Sequence, residues 1–329
     1  MAKKSSSKKE LHELVIFKHK DKPRELITDR YQVEKIQNED KIKILNSFST
    51  LGIHFRYSIL INNENSTMIS DIKIDISYPN FLEYSGSYPQ TMSVFYQIES
   101  DQDRMNNVTL KLERLTGNSE EHIYLHFTPT SQLAIGEFNT VLSYKNNSGK
   151  KREIKSNSIS IELNDITIMP KIISHSRITQ FSKIPGMKRA LLSLGIGTKK
   201  KLNSKKIYDI FEDIILTYNF QLITKDREKG NLWFFGTETK SSNDLFAISK
   251  IGSNFIEIIA HSIDPVILGQ FLFSIDKELR EKLSINKIIK PSMKLLRLEC
   301  INCGTHLPYF PKKGESIKCM ICSYEQVVW

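Results

Sequence analysis

Four cysteines, all within the last thirty residues, decide more about this chain than any other feature. They stand as Cys300-Ile-Asn-Cys303 and Cys319-Met-Ile-Cys322, with fifteen residues between the pairs. They are too few and too clustered to staple a secreted scaffold, which points to metal chemistry in a reducing, cytoplasmic setting. Each CxxC lets a tight turn aim two thiolates at one point, and two such turns joined by a hairpin complete the tetrahedral sulfur shell that Zn2+ accepts. Gly304 follows the first pair, where a small residue lets the backbone wrap the metal. The expectation is a zinc ribbon over 299–329 that holds one structural Zn2+ through Cys300, Cys303, Cys319 and Cys322. A closed four-ligand shell leaves no position for water, so the ion is expected to fold the segment rather than to catalyse. A redox dithiol is the competing reading of a CxxC. His306 is read as a surface residue, because four thiolates already satisfy the ion.

The whole chain is long enough for two or three units of ordinary domain size: 329 residues, 40% of them hydrophobic. From about Ile42 to Leu163 short alternating runs, such as IHFRYSILIN, MISDIKIDISY, NVTLKLERL and SISIEL, are broken by turn residues such as Tyr78-Pro79-Asn80 and Thr116-Gly117-Asn118. About seven strands at this spacing predict an immunoglobulin-like antiparallel β-sandwich over 25–169, with an N-terminal lead-in. No cysteine pair or core tryptophan marks it as an antibody-type domain.

The periodicity then switches. Ile207, Ile210, Phe211, Ile214, Ile215 and Tyr218 fall on one face of a helix starting near Ser204. Four strand candidates follow, FQLITKD, NLWFFGTE, LFAISKIG and FIEIIAHS. Asp264-Pro265 offers an N-cap with proline at the first helical position, and Leu268, Phe271, Leu272, Ile275 and Leu279 line the next helix. The order predicts an α-β-β-β-β-α platform over 204–283, with its helices on one face of an antiparallel sheet. Residues 284–298 read as a linker to the ribbon.

The net charge of +10 is unevenly spread. Residues 1–24 carry a net +5 and residues 183–206 a net +8, which leaves −3 for everything else. The first segment reads as a disordered basic tail, and 170–203 as an irregular basic connector. Lys188, Arg189, Lys199, Lys200 and Lys201 are the candidate contacts to a polyanion, either nucleic acid or an anionic membrane surface. No apolar run approaches the ~20 residues of a membrane-crossing helix.

No catalytic constellation accompanies these modules. The eight histidines are scattered, and Gly195-Ile-Gly197-Thr-Lys199 lacks the spacing of a phosphate-binding loop. The chain is therefore expected not to be an enzyme. In LWFF, Trp233 and Phe235 share the sheet face opposite Leu232 and Phe234. Either the sandwich or the connector covers part of that face, or Trp233 and Phe235 anchor a partner peptide.

A sandwich followed by an α-β-β-β-β-α platform resembles the appendage, or ear, domains of clathrin adaptors and of the coatomer gamma subunit. The resemblance rests on the strand runs of 42–163 and on IYDIFEDIILTYNFQL, NLWFFGTE, DLFAISK and FIEIIAHSIDPVILGQFLFSI. It implies a non-enzymatic adaptor that recruits protein partners through short peptide motifs bound on the platform. The chain departs from that family in lacking a long helical trunk and in ending with a zinc ribbon. Its richness in Lys, Ile and Asn looks archaeal. The alternative is a nucleic-acid-binding protein that uses the basic tail, the connector and the ribbon.

Overall fold

The computed structural model describes residues 32–33, 41–90, 93–97, 105–196, 202–289, 295–307 and 314–328. The tail of 1–24 and the candidate contacts Lys199, Lys200 and Lys201 lie outside them.

The first half of the chain forms two antiparallel sheets packed face to face. Its strands are β1 (Gln32–Val33), β2 (Ile42–Leu51), β3 (His54–Asn63), β4 (Ile69–Pro79), β5 (Leu82–Tyr88), β6 (Ser93–Gln97), β7 (Met105–Leu115), β8 (Ser119–Pro129), β9 (Ala134–Lys145), β10 (Lys151–Lys155) and β11 (Ile159–Leu163). One sheet runs β1-β2-β3-β8-β5 and the other β10-β9-β4-β7-β6, with β11 also pairing β9. Alternation supplies the buried face, and in β4 Ile72, Ile74, Ile76 and Tyr78 all point inward. Ile69 falls out of step with that series, but a bulge with Asp71 at φ +49 restores its inward direction. At the centre the Tyr57 and Phe138 rings stack at 4.5 Å, and Phe127 meets Phe138 edge-on at 5.3 Å. The expected seven strands are too few. β2 hides its alternation behind the polar run NSFST, where Asn46 is fully buried and donates to the Tyr57 hydroxyl at 2.7 Å.

The second half is built on one seven-stranded antiparallel sheet. Its elements are β12 (Ile168–Pro170), α1 (His175–Phe181), β13 (Lys188–Ile196), α2 (Ser204–Thr217), β14 (Gln221–Asp226), β15 (Asn231–Glu238), β16 (Asp244–Ile251), β17 (Phe255–Ser262), α3 (Pro265–Ile285) and β18 (Leu295–Arg297). The strand order is β12-β15-β16-β17-β13-β18, with β14 also pairing β15. Asn203 caps α2 by accepting from the Lys206 N–H, and Asp264 caps α3 by accepting from Val266 at 2.8 Å. Phe211 and Ile214 of α2 and Phe271, Leu272 and Ile275 of α3 share one core with Leu232, Phe234, Ala247 and Ile258 of the sheet.

Two expectations need correction here. Residues 170–203 are not a bare connector: they hold α1 and β13, and β13 lies inside the sheet between β17 and β18. Ala190, Leu192 and Leu194 alternate into the core, a period masked in the sequence by the neighbouring lysines and glycines. Residues 284–298 are not a plain linker, because β18 closes the sheet by pairing with β13. α2 and α3, the two helices of 204–283, pack on one face of the sheet; α1, which lies before that unit, packs Ile178 and Phe181 on the opposite side, against Phe235 and Phe246.

The two halves are in contact through α3. Thr50 donates to the Pro265 carbonyl at 2.8 Å, and Gln132 donates to the Ser274 hydroxyl at 3.1 Å. A Cβ at Gly269 would stand only 3.0 Å from Phe55 and 3.1 Å from Thr50, so the helix and the sandwich approach closely at this glycine. Among the described residues no helix is long and apolar enough to cross a membrane.

Truncating Phe211 to alanine is expected to cost ~3–5 kcal/mol, through lost transfer energy and the cavity left between α2 and Phe234. Lys206→Ala on the exposed side should cost less than ~0.5 kcal/mol. Denaturant melts of both variants check the docking of α2.

Candidate metal centre

The C-terminal segment adds β19 (Ser316–Lys318) and β20 (Glu325–Val327), paired with each other. Two knuckles face one another across it. In the first, the Gly304 N–H donates to the Cys300 carbonyl at 2.8 Å, with Gly304 at φ +68. In the second, the Ser323 N–H donates to the Cys319 carbonyl at 2.9 Å, with Ser323 at φ +59. Both turns therefore use the left-handed conformation just after their second cysteine. Glycine signals this at Gly304, while Ser323 adopts it without any such signal.

The turns bring Cys300, Cys303, Cys319 and Cys322 together as free thiols, with all four Sγ atoms within 4.8 Å of one another. Cys300 and Cys322 are separated by 3.6 Å, as are Cys303 and Cys319. A tetrahedron with metal–sulfur bonds of 2.3 Å has edges of about 3.8 Å, so the cluster matches the size of a single four-thiolate shell. Cys300 and Cys319 are buried while Cys303 and Cys322 are half-buried. Burial pushes the Cys300 and Cys303 thiols up. Burial also acts on Cys322, but hydrogen bonds from the Tyr324 backbone and then the Asn302 side chain bring it down to about 7. Four thiolates packed this closely repel one another unless a cation lies among them.

The segment is not free-standing. The Ser193 N–H of β13 donates to Glu299 Oε2 at 3.1 Å, and Leu298 N–H donates to the Ser193 carbonyl at 2.8 Å. On the sandwich side, Tyr324 meets the His126 ring edge-on at 6.0 Å, and Gln90 exchanges two hydrogen bonds with the Glu325 backbone. His306 is not the surface residue expected. It is half-buried, with Nδ1 3.0 Å from the Ser193 hydroxyl and 3.7 Å from Glu257. Burial lowers its pKa, against the pull of Glu257. None of Ser193, Glu299, His126 or Tyr324 belongs to a motif, so their roles follow from tertiary placement alone.

The other candidates are scattered. Phe235 is fully buried beneath Phe181 of α1, with ring centroids 5.2 Å apart, so it offers no surface to a partner. Trp233 is half-buried on the same face and meets Phe246 edge-on at 6.2 Å. Lys188 and Arg189 open β13 rather than a loop, and Arg189 is exposed.

No protein-family model and no curated protein matches the chain. Among solved structures, a non-cellulosomal cohesin from the archaeon Archaeoglobus fulgidus is 16% identical at a TM-score of 0.26, covering 35% of this chain and 83% of its own. The GAE domain of GGA2p from Saccharomyces cerevisiae is 16% identical at a TM-score of 0.24, covering 40% and 97%. The major pilin subunit BcpA of Bacillus cereus is 11% identical at 0.28, covering 63% and 60%. Likenesses this slight leave the function to be read from the chain's own residues.

The contact between the C-terminal segment and the sandwich carries a pH signature. Burial, helped by the Arg56 charge, brings the His126 imidazole down to about 4. Below the ordinary value near 6.5 the unfolded chain takes up a proton that the folded chain refuses, so this group lowers stability as pH falls from about 6.5 to about 4. The slope from one such group is at most about 1.4 kcal/mol per pH unit. Urea midpoints measured across that window should fall less steeply for His126→Gln than for the natural chain.

Proposed function

We propose that the chain is a non-enzymatic protein-interaction scaffold, similar in plan to an adaptor appendage and working in the cytoplasm, where thiols stay reduced. The observation that carries this reading is the sheet face opposite α2 and α3. α1 covers its Phe235–Phe246 end, while Trp233, Ile223 and Ile248 are only partly buried beside it. A half-covered apolar strip around a tryptophan suits a short peptide with one apolar anchor. Trp233 is the residue proposed to hold it. The competing polyanion reading has only Lys188 and Arg189 among the described residues.

In the same reading the four cysteines hold one structural Zn2+. The ion supplies the charge that lets four thiolates share one shell, and each knuckle turn holds its own pair of sulfurs in place.

Two measurements test this. A pull-down of the natural chain against Trp233→Ala, with equal stability checked first, should lose the specific partner in the variant; unchanged partners would remove Trp233. Metal analysis of freshly purified, reduced protein should give one zinc per chain, and Cys303→Ser should abolish it. Protein that carries no metal would overturn the zinc assignment.

A further inference from the structure

β12, α1 and the turn that leads into β13 form a strap across the face of the second sheet opposite α2 and α3. The strap leaves the sheet beside β15, where Pro170 pairs with Gly236, and rejoins it at Lys188, which pairs with Ser262 of β17. Its inward side is taken up by Ile178 and Phe181, against Phe235 and Phe246. Elsewhere it leaves bulky apolar side chains in solvent: Ile172 is 88% exposed, Met169 58% and Ile184 41%. Ile172 and Ile184 bracket α1, whose seven residues span about 10 Å.

The same strap is basic. Residues 169–189 hold Lys171, Arg177, Lys183, Lys188 and Arg189 and no acidic residue. Asp244 holds Lys171 at 2.8 Å, whereas Arg177, Lys183 and Arg189 are exposed and make no ion pair among the described residues. Cations alone would suit any polyanion, but three exposed aliphatic side chains gain nothing from a phosphate backbone. An anionic bilayer satisfies both features. Its headgroups attract the cations, each worth about fivefold in affinity near the surface, and its acyl boundary accepts the aliphatic side chains.

We propose that the strap of 169–189 docks the protein reversibly on an anionic membrane surface, with Ile172 and Ile184 entering the acyl boundary and Arg177, Lys183 and Arg189 meeting lipid phosphates. None of these residues belongs to the Trp233 site or to the cysteine cluster, so this proposal and the peptide reading can fail separately.

Flotation of the full chain with vesicles of an equimolar mixture of phosphatidylglycerol and phosphatidylcholine, and with phosphatidylcholine alone, tests it. Binding is expected on the anionic vesicles only, and it should fall as salt rises. Ile172→Asp should lower the partition coefficient about fivefold or more, and the double change Arg177→Glu with Lys183→Glu roughly tenfold or more. These positions are exposed, so urea midpoints should stay at the natural value; Ile184→Asp takes the place of Ile172→Asp should that midpoint fall. Every variant keeps residues 1–24, so the ratio to the natural chain reports the strap alone. A short DNA duplex offered to the same proteins separates the other polyanion. Duplex binding lost on charge reversal, in a chain that ignores anionic vesicles, would overturn the proposal in favour of nucleic acid. No flotation, equal flotation on neutral vesicles, or flotation unchanged in the folded variants would also overturn it.

Discussion

α3 is enclosed from two sides, and the arrangement of the whole molecule follows from that. One face supplies Phe271, Leu272 and Ile275 to the core of the second sheet, while the first two turns lie against the sandwich at Thr50 and Phe55. A helix enclosed this way has little room for polar groups, yet it carries Asp276 at 2% exposure. Arg280 from the next turn and Arg297 from β18 hold that carboxylate. Removing one member of such a buried cluster costs ~3–5 kcal/mol, because the remaining charge is stranded out of water. The cluster thereby ties the last strand of the sheet to the helix that the sandwich leans on.

What the sequence disclosed and what it concealed divide along physical lines. α2 and α3 were legible because a 3.6-residue period and the Asn203 and Asp264 caps are local signals. The two CxxC pairs were legible because four sulfurs at that spacing have few other uses. β13 was concealed: its Ala190-Leu192-Leu194 alternation spans only three inward positions, flanked by the cations that gave the segment its connector-like look. β18 is three residues long and has no period at all. The burial of Phe235 was half visible, since alternation placed it opposite Phe234, but only the tertiary fold brings Phe181 over it. His126, Ser193 and Glu299 gave no signal, as each is a single polar residue whose meaning depends on a distant neighbour.

The cysteine segment shows how a small unit borrows stability. Its own core is Cys300, Leu307, Cys319 and Tyr324, too small to hold a fold by burial alone. Docking adds contacts on two sides, through Ser193 to the sheet and through Gln90 and His126 to the sandwich. The cysteine cluster and the module junction are consequently one mechanical unit, since Glu299 and Cys300 are adjacent in the chain.

The position of β13 between β17 and β18 has a bearing on how the chain comes off the ribosome. β13 is made before α2 and before the four strands that follow, but neither of its two edges can be paired until β17, and then β18, have been made. During synthesis it is a strand with both hydrogen-bonding edges bare and with Leu192 and Leu194 unburied, the condition in which non-native pairing competes with folding. Such long-range closure makes assembly slow. The lysines and arginine that flank this strand in the sequence would oppose such pairing, because like charges on unpaired edges repel one another.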